Sequence, residues 1–146
     1  MKDGQSMELP SAAAILADHD RALVTWDQGE PEADGEPDGL REFIASQHFS
    51  NFKLWALEDE ARRRDVDDSY IASVKRGIDE WNQRRNDLVE SIDQGLLGLL
   101  PLPGDSAERH SETAGMMIDR LSILALKVHN MRALAGGDDE LARECA

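Results

Sequence analysis

His48, Asn51, Trp55, Glu58 and Arg62 lie 3, 4, 3 and 4 residues apart within "HFSNFKLWALEDEARRRD", residues 48–65. On a helix that spacing puts all five in one stripe along a single face. Such a stripe is normally apolar. This one carries an imidazole, an amide, an indole, a carboxylate and a guanidinium, groups suited to acid–base work and to hydrogen bonding of a polar ligand. A neighbouring carboxylate raises imidazole basicity, so His48 with Glu58 and Asp59 forms the candidate catalytic set. The blander reading makes Glu58 and Arg62 an i,i+4 ion pair on a solvated face, with Arg62, Arg63 and Arg64 complementing the helix dipole in a last turn.

Two later segments carry comparable stripes. Asp79, Asn82 and Asn86 flank Arg85, which interrupts an otherwise apolar 3–4 seam of Ile71, Val74, Ile78, Trp81, Leu88, Ile92, Leu96 and Leu99. A guanidinium in a seam must be paired or wet, since an unpaired buried charge costs several kcal/mol. Its expected partners are Glu58, Asp59, Glu112 or Asp119. The last stripe holds Glu112, Asp119, Ser122 and His129, with Arg120 and Lys127 beside it. Converging stripes of this kind build an interhelical site, with Asn51, Trp55, Arg62, Asn82, Arg85, Asn86, Glu112, Asp119, Arg120, Ser122 and Lys127 as candidate ligand-binding residues. Glu58, Asp59, Glu112 and Asp119 also suit one magnesium ion, which prefers carboxylate oxygens and water. Nothing in the sequence requires a cofactor.

Familiar chemistries are missing. "LAGGDDE" and "DQGLLG" follow helical segments instead of strands and match no phosphate loop. No H-x-x-x-H pair and no paired Glu-x-x-His is present, and one cysteine cannot anchor a C-x-x-C zinc site. The net charge of −14, from 30 acidic and 16 basic residues, repels nucleic acid and anionic membrane surfaces. No apolar run approaches the roughly 18 residues of a membrane span, and "MKDGQSMELP" has no apolar signal region. The lone Cys145 closes no internal disulfide and reads as an exposed, incidental thiol in a reducing compartment. A cytoplasmic protein is the expectation.

The elements that must position these residues are helices. Apolar residues recur at helical spacing, broken by Gly, Pro and Asp, and the 146 residues make one domain. Residues 1–10 read as a mobile tail, 11–135 as the bundle and 136–146 as a C-terminal tail. The helices are expected near 11–27, 39–64, 69–99 and 112–134, with Ser11 capping the first and Asp68 or Ser69 the third. The first buries Ala12, Ile15, His19, Leu23 and Trp26, where His19 reads as a core histidine. Residues 28–38, acidic and rich in Gly and Pro, form a solvated loop. In the fourth, Met117, Leu121, Leu124, Val128 and Met131 form the expected packing stripe, and "AGG" stops the helix. Long helices with brief breaks predict an all-α, up-and-down four-helix bundle.

"NFKLWALEDEARR", "VKRGIDEWNQRRNDLVESID" and "SETAGMMIDRLSILALKVHNM", in that order, resemble the bacterial family catalogued as domain of unknown function 4254. The resemblance covers about residues 40–132. It marks Asn51, Trp55, Glu58, Asp59, Asn82, Arg85, Asn86, Glu112, Thr113, Asp119, Arg120, Ser122 and Lys127, largely the stripes chosen by spacing. Ala56 and Asn130 stand where the family pattern has His, and Ala114 where it has Pro. The resemblance implies a setting of sugar transfer or small-molecule biosynthesis and no particular reaction.

Two functions follow as expectations. In the first, the stripes form a pocket for a small polar ligand, sugar- or nucleotide-like, with acid–base or metal-assisted chemistry within reach. In the second, they form a structural network in a non-catalytic scaffold or accessory protein, with a homodimer as its assembly. A solvent-connected cavity reaching Arg85 favours the first; a dry, paired Arg85 favours the second.

Overall fold

The computed structural model describes residues 10–31, 36–99 and 112–144, with side chains as far as residue 136. Cys145 and the tail through residue 9 lie outside them. Four helices form an all-α bundle: α1 (Ala12–Asp27), α2 (Leu40–Ala61), α3 (Asp68–Leu99) and α4 (Ala114–Glu144). Among the described residues no strand forms, and no helix is long and apolar enough to cross a membrane.

Local chemistry sets the helix ends. Ser11 caps α1, its hydroxyl accepting the Ala14 N–H at 3.1 Å. The cap of α3 is Asp67, one residue before the expected Asp68, and its carboxylate accepts the Tyr70 N–H at 2.8 Å. α2 stops at Ala61, earlier than expected, so Arg63 and Arg64 lie past its end. Arg63 instead forks onto Asp65 at 2.9 and 2.7 Å and reaches Glu60 at 2.9 Å, closing the α2–α3 corner. Thr113 caps α4 through the Met116 N–H. "AGG" does not end α4, which continues to Glu144. The positive-φ glycines among the described residues are Gly29 and Gly39, so Gly136 does not take the left-handed turn that a glycine stop requires.

Close approaches give the helix directions. Leu40 meets Gly95 and Leu57 meets Gly77, so α2 and α3 are antiparallel. Asp93 meets Gly115, and the earlier Asn82 and Arg85 share a cleft with the later Ile123 and Leu126, so α3 and α4 are antiparallel as well. Up-and-down alternation therefore runs from α2 to α4. α1 lies alongside α2 in the same direction: Asp18 pairs with Arg41 near one end and Glu30 with Lys53 near the other. The acidic connection makes this reachable. Twelve residues, Gln28–Gly39, extend to about 40 Å, ample to return along the roughly 24 Å of α1.

The core is divided in two. One cluster holds Ile15, Ile44, Ile92, Leu96 and Ile118. The other holds Leu23, Ala125 and Leu126, against which Trp26, Phe52 and Trp55 pack. Between them His19, Gln47, His48, Ser50, Asn51 and Ser122 form a buried polar layer. The expected α4 stripe is corrected here: Met117, Leu124, Val128 and Met131 are exposed, and Gly115, Ile118, Ser122, Ala125 and Leu126 point inward. Small residues win that face because they let the backbones approach closely. A Cβ on Gly115 would lie 2.6 Å from the Val89 carbonyl oxygen, where Asp93 also accepts the Gly115 N–H at 2.7 Å.

Candidate functional site

The stripe of α2 divides between two environments. His48 is only 1 % exposed and joins the buried layer. Its Nε2 lies 3.2 Å from the His19 carbonyl, an acceptor, so Nε2 carries the proton. Nδ1 of the neutral ring is then the acceptor, and the Ser122 hydroxyl donates to it at 2.6 Å. Ser122 Oγ in turn accepts an Asn51 N–H at 3.0 Å, and the second Asn51 N–H goes to Asp119 at 2.8 Å. A directional chain results, from Asn51 through Ser122 and His48 to the α1 backbone. Both N–H donors of Asn51 are taken, so its remaining hydrogen-bonding capacity is the acceptor Oδ1.

Burial decides the charge of the two histidines. Their rings stack with centroids 3.8 Å apart. Desolvation lowers His48 to about 3, helped by repulsion from His19 and opposed by its bond to the His19 backbone. Desolvation lowers His19 to about 4, against the pull of Asp18 and Asp20. Both are neutral at pH 7. His48 is therefore sequestered from Glu58, and the candidate acid–base set does not assemble.

The outer part of the stripe opens onto a cleft of about 480 Å³, lined by Asn51, Leu54, Trp55, Glu58, Arg62, Asn82, Arg85, Ile123 and Leu126. α2, α3 and α4 all contribute to it, and its volume falls within the usual range for small-molecule sites. Trp55 packs on the second core cluster, which holds its indole in place. Arg85 is half-buried and makes no ion pair among the described residues, contrary to the expected carboxylate partner. It resolves its place in the seam by facing the cleft. Glu58 lines the same cleft and is likewise free of ion pairs among the described residues.

Other expected site residues lie elsewhere. Asp59 is exposed and pairs with Arg62 at 2.6 Å. Glu112 pairs with Arg120, and Asn86 and Lys127 are exposed. Asp119 is engaged by Asn51. The four carboxylates suggested for magnesium are thus dispersed, and no cluster of three or more metal-ligating side chains occurs among the described residues. His129 meets Asp27 at 2.7 Å, tying α4 to the end of α1. Sequence reasoning missed the apolar walls Leu54, Ile123 and Leu126, which look like ordinary core residues, and Gln47, whose amide donates to the Gly115 carbonyl at 3.3 Å.

A family model described as protein of unknown function (DUF4254) matches residues 41–145, a span that includes every cleft-lining residue. No curated protein and no solved structure matches the chain.

Proposed function

For this chain, which belongs to the DUF4254 family, we propose a binding function: the α2–α3–α4 cleft takes a small polar ligand, sugar- or nucleotide-like, carrying both hydroxyl groups and an anionic group. The observation that supports it most is Arg85, a half-buried guanidinium facing a solvent-connected cleft with no carboxylate paired to it among the described residues. Guanidinium presents a planar fork of donors that matches phosphate or carboxylate. Glu58 and the Asn51 carbonyl are acceptors, suited to ligand hydroxyls. Trp55 and Leu54 supply an apolar wall for a sugar ring or base. Glu58 is the carboxylate in place to act as a base, should the cleft host a reaction.

A structural role describes a different subset. His48, Ser122, Asn51 and Asp119 satisfy one another in the interior, as a network fixing helix register would. The two readings therefore share Asn51 and otherwise use separate residues.

Thermal-shift titration against sugar phosphates, nucleoside diphosphate sugars and their uncharged sugars tests the proposal. A phosphorylated member should raise the Tm of the native protein, and Arg85→Met should abolish that shift while leaving the unliganded Tm within a few degrees. A large loss of stability in the unliganded variant would instead mark Arg85 as a buried structural partner, for which roughly 3–5 kcal/mol is expected.

A further inference from the structure

The outward face of α4 is unlike the rest of the surface. Met116, Met117, Leu124, Val128, Met131 and Leu134 are exposed along it, while Leu121 turns inward and packs on the first core cluster. Leu124 is 51 % exposed, Met131 68 % and Leu134 71 %. Scattered apolar side chains on a surface need no explanation, but six exposed on one helix do. From Met116 to Leu134 this face runs about 27 Å at 1.5 Å per residue, five helical turns.

Its charge is also reversed. In a chain of 30 acidic residues, Asp119 is the sole carboxylate between Ala114 and Gly136, and it is held by Asn51. Of the α4 cations beside the exposed row, Arg120 is paired by Glu112, whereas Lys127 and Arg132 make no ion pair among the described residues. We propose that this face docks an amphipathic helix of another protein, about 20 residues long, whose apolar seam is flanked by carboxylates.

Charge separates this occupant from the alternatives. A second copy packing the same face would bring Lys127 and Arg132 of both copies to one interface, whereas a partner carrying carboxylates pairs them. An anionic membrane is an extended surface that meets the acidic remainder of the chain as well as α4. A single acidic helix meets α4 alone, and at physiological salt a Debye length near 8 Å screens the more distant carboxylates. The methionines suit such a surface, because their unbranched side chains repack around different apolar partners.

Two synthetic helical peptides test this, sharing one leucine seam at 3–4 spacing and flanked by Glu in one and by Lys in the other. Fluorescence anisotropy with the full chain at about 0.15 M salt should show the Glu-flanked peptide binding at least tenfold more tightly. Leu124→Gln with Met131→Gln, both at exposed positions, should abolish that binding without lowering the Tm. Lys127→Glu with Arg132→Glu should reverse the peptide preference. Equal binding of the two peptides, or binding of neither, overturns the proposal. So does light scattering that shows a dimer lost in the Leu124→Gln, Met131→Gln variant, or stronger association with phosphatidylserine vesicles than with the Glu-flanked peptide.

Discussion

At Ser122 a single hydroxyl joins α4 to α2, donating to His48 and accepting from Asn51, while His48 carries the connection on to α1. Ser122→Ala leaves a buried imidazole nitrogen and an amide hydrogen without partners, so a loss of about 1–3 kcal/mol is expected in urea unfolding. Ligand response at the cleft should survive, because Asp119 still orients Asn51. The histidine pair adds a pH dependence. Their folded values, about 3 for His48 and about 4 for His19, lie below the ordinary 6.5, so the unfolded chain takes up protons first as pH falls. Their contribution is complete above about pH 6.5 and is lost progressively below it. From pH 6.5 to 5 each should remove up to about 2 kcal/mol, a window above the usual carboxylate titrations. Unfolding midpoints that stay level across that window would contradict the dry, neutral pair. The spacing of residues 48–62 made the polar character of this face legible, but not its division. A 3–4 stripe winds slowly around its helix, so one end reaches the interior at His48 and the other the cleft at Glu58 and Arg62.

Among the elements, α1 and α3 were the most legible, because each has one clear apolar stripe and a side-chain cap. α4 was not. Its sequence is apolar on two faces, and periodicity alone does not say which one packs. The inward face is the less hydrophobic one, built on Gly115, Ile118, Ser122, Ala125 and Leu126, since close approach to α3 at Gly115 and to α2 at Ser122 matters there more than bulk. Gly115 carries the most specific expectation. Its added Cβ would meet a backbone carbonyl at 2.6 Å, which cannot rotate aside, and would crowd the Asp93 carboxylate that holds the α4 N-terminus. Gly115→Ala should therefore destabilise the fold by about 1–3 kcal/mol despite the better helix propensity of alanine. Gly98→Ala, with open space around its Cβ, should be neutral or slightly stabilising; equal effects at the two sites would remove the close-approach account.

For the molecule as a whole, an all-α bundle followed from the sequence, whereas the direction of α1 did not. The twelve-residue connection permits either a hairpin or a return, and the packing of Ile15, His19 and Leu23 onto α2 and α4 selects the return. With α1 beside α2 and α4, the opposite side of α2 is left to α3, and there the cleft opens around Arg85. Convergence of the α2 and α3 stripes could be anticipated from spacing; the dispersal of Asp59, Glu112 and Lys127 to the surface could not, because long charged side chains at stripe margins reach solvent equally well.

The proposed ligand site is the α2–α3–α4 cleft. It is tested most directly by nuclear magnetic resonance of the ¹⁵N-labelled chain titrated with the phosphorylated sugar that gives the largest thermal shift. The Trp55 indole N–H, the Arg85 Nε–H and the side-chain amide of Asn82 should move together with one dissociation constant. The Trp26 indole, which packs near His48, should stay in place. A ligand that stabilises the protein while these three signals remain still, or that moves the Trp26 signal first, would contradict the assignment.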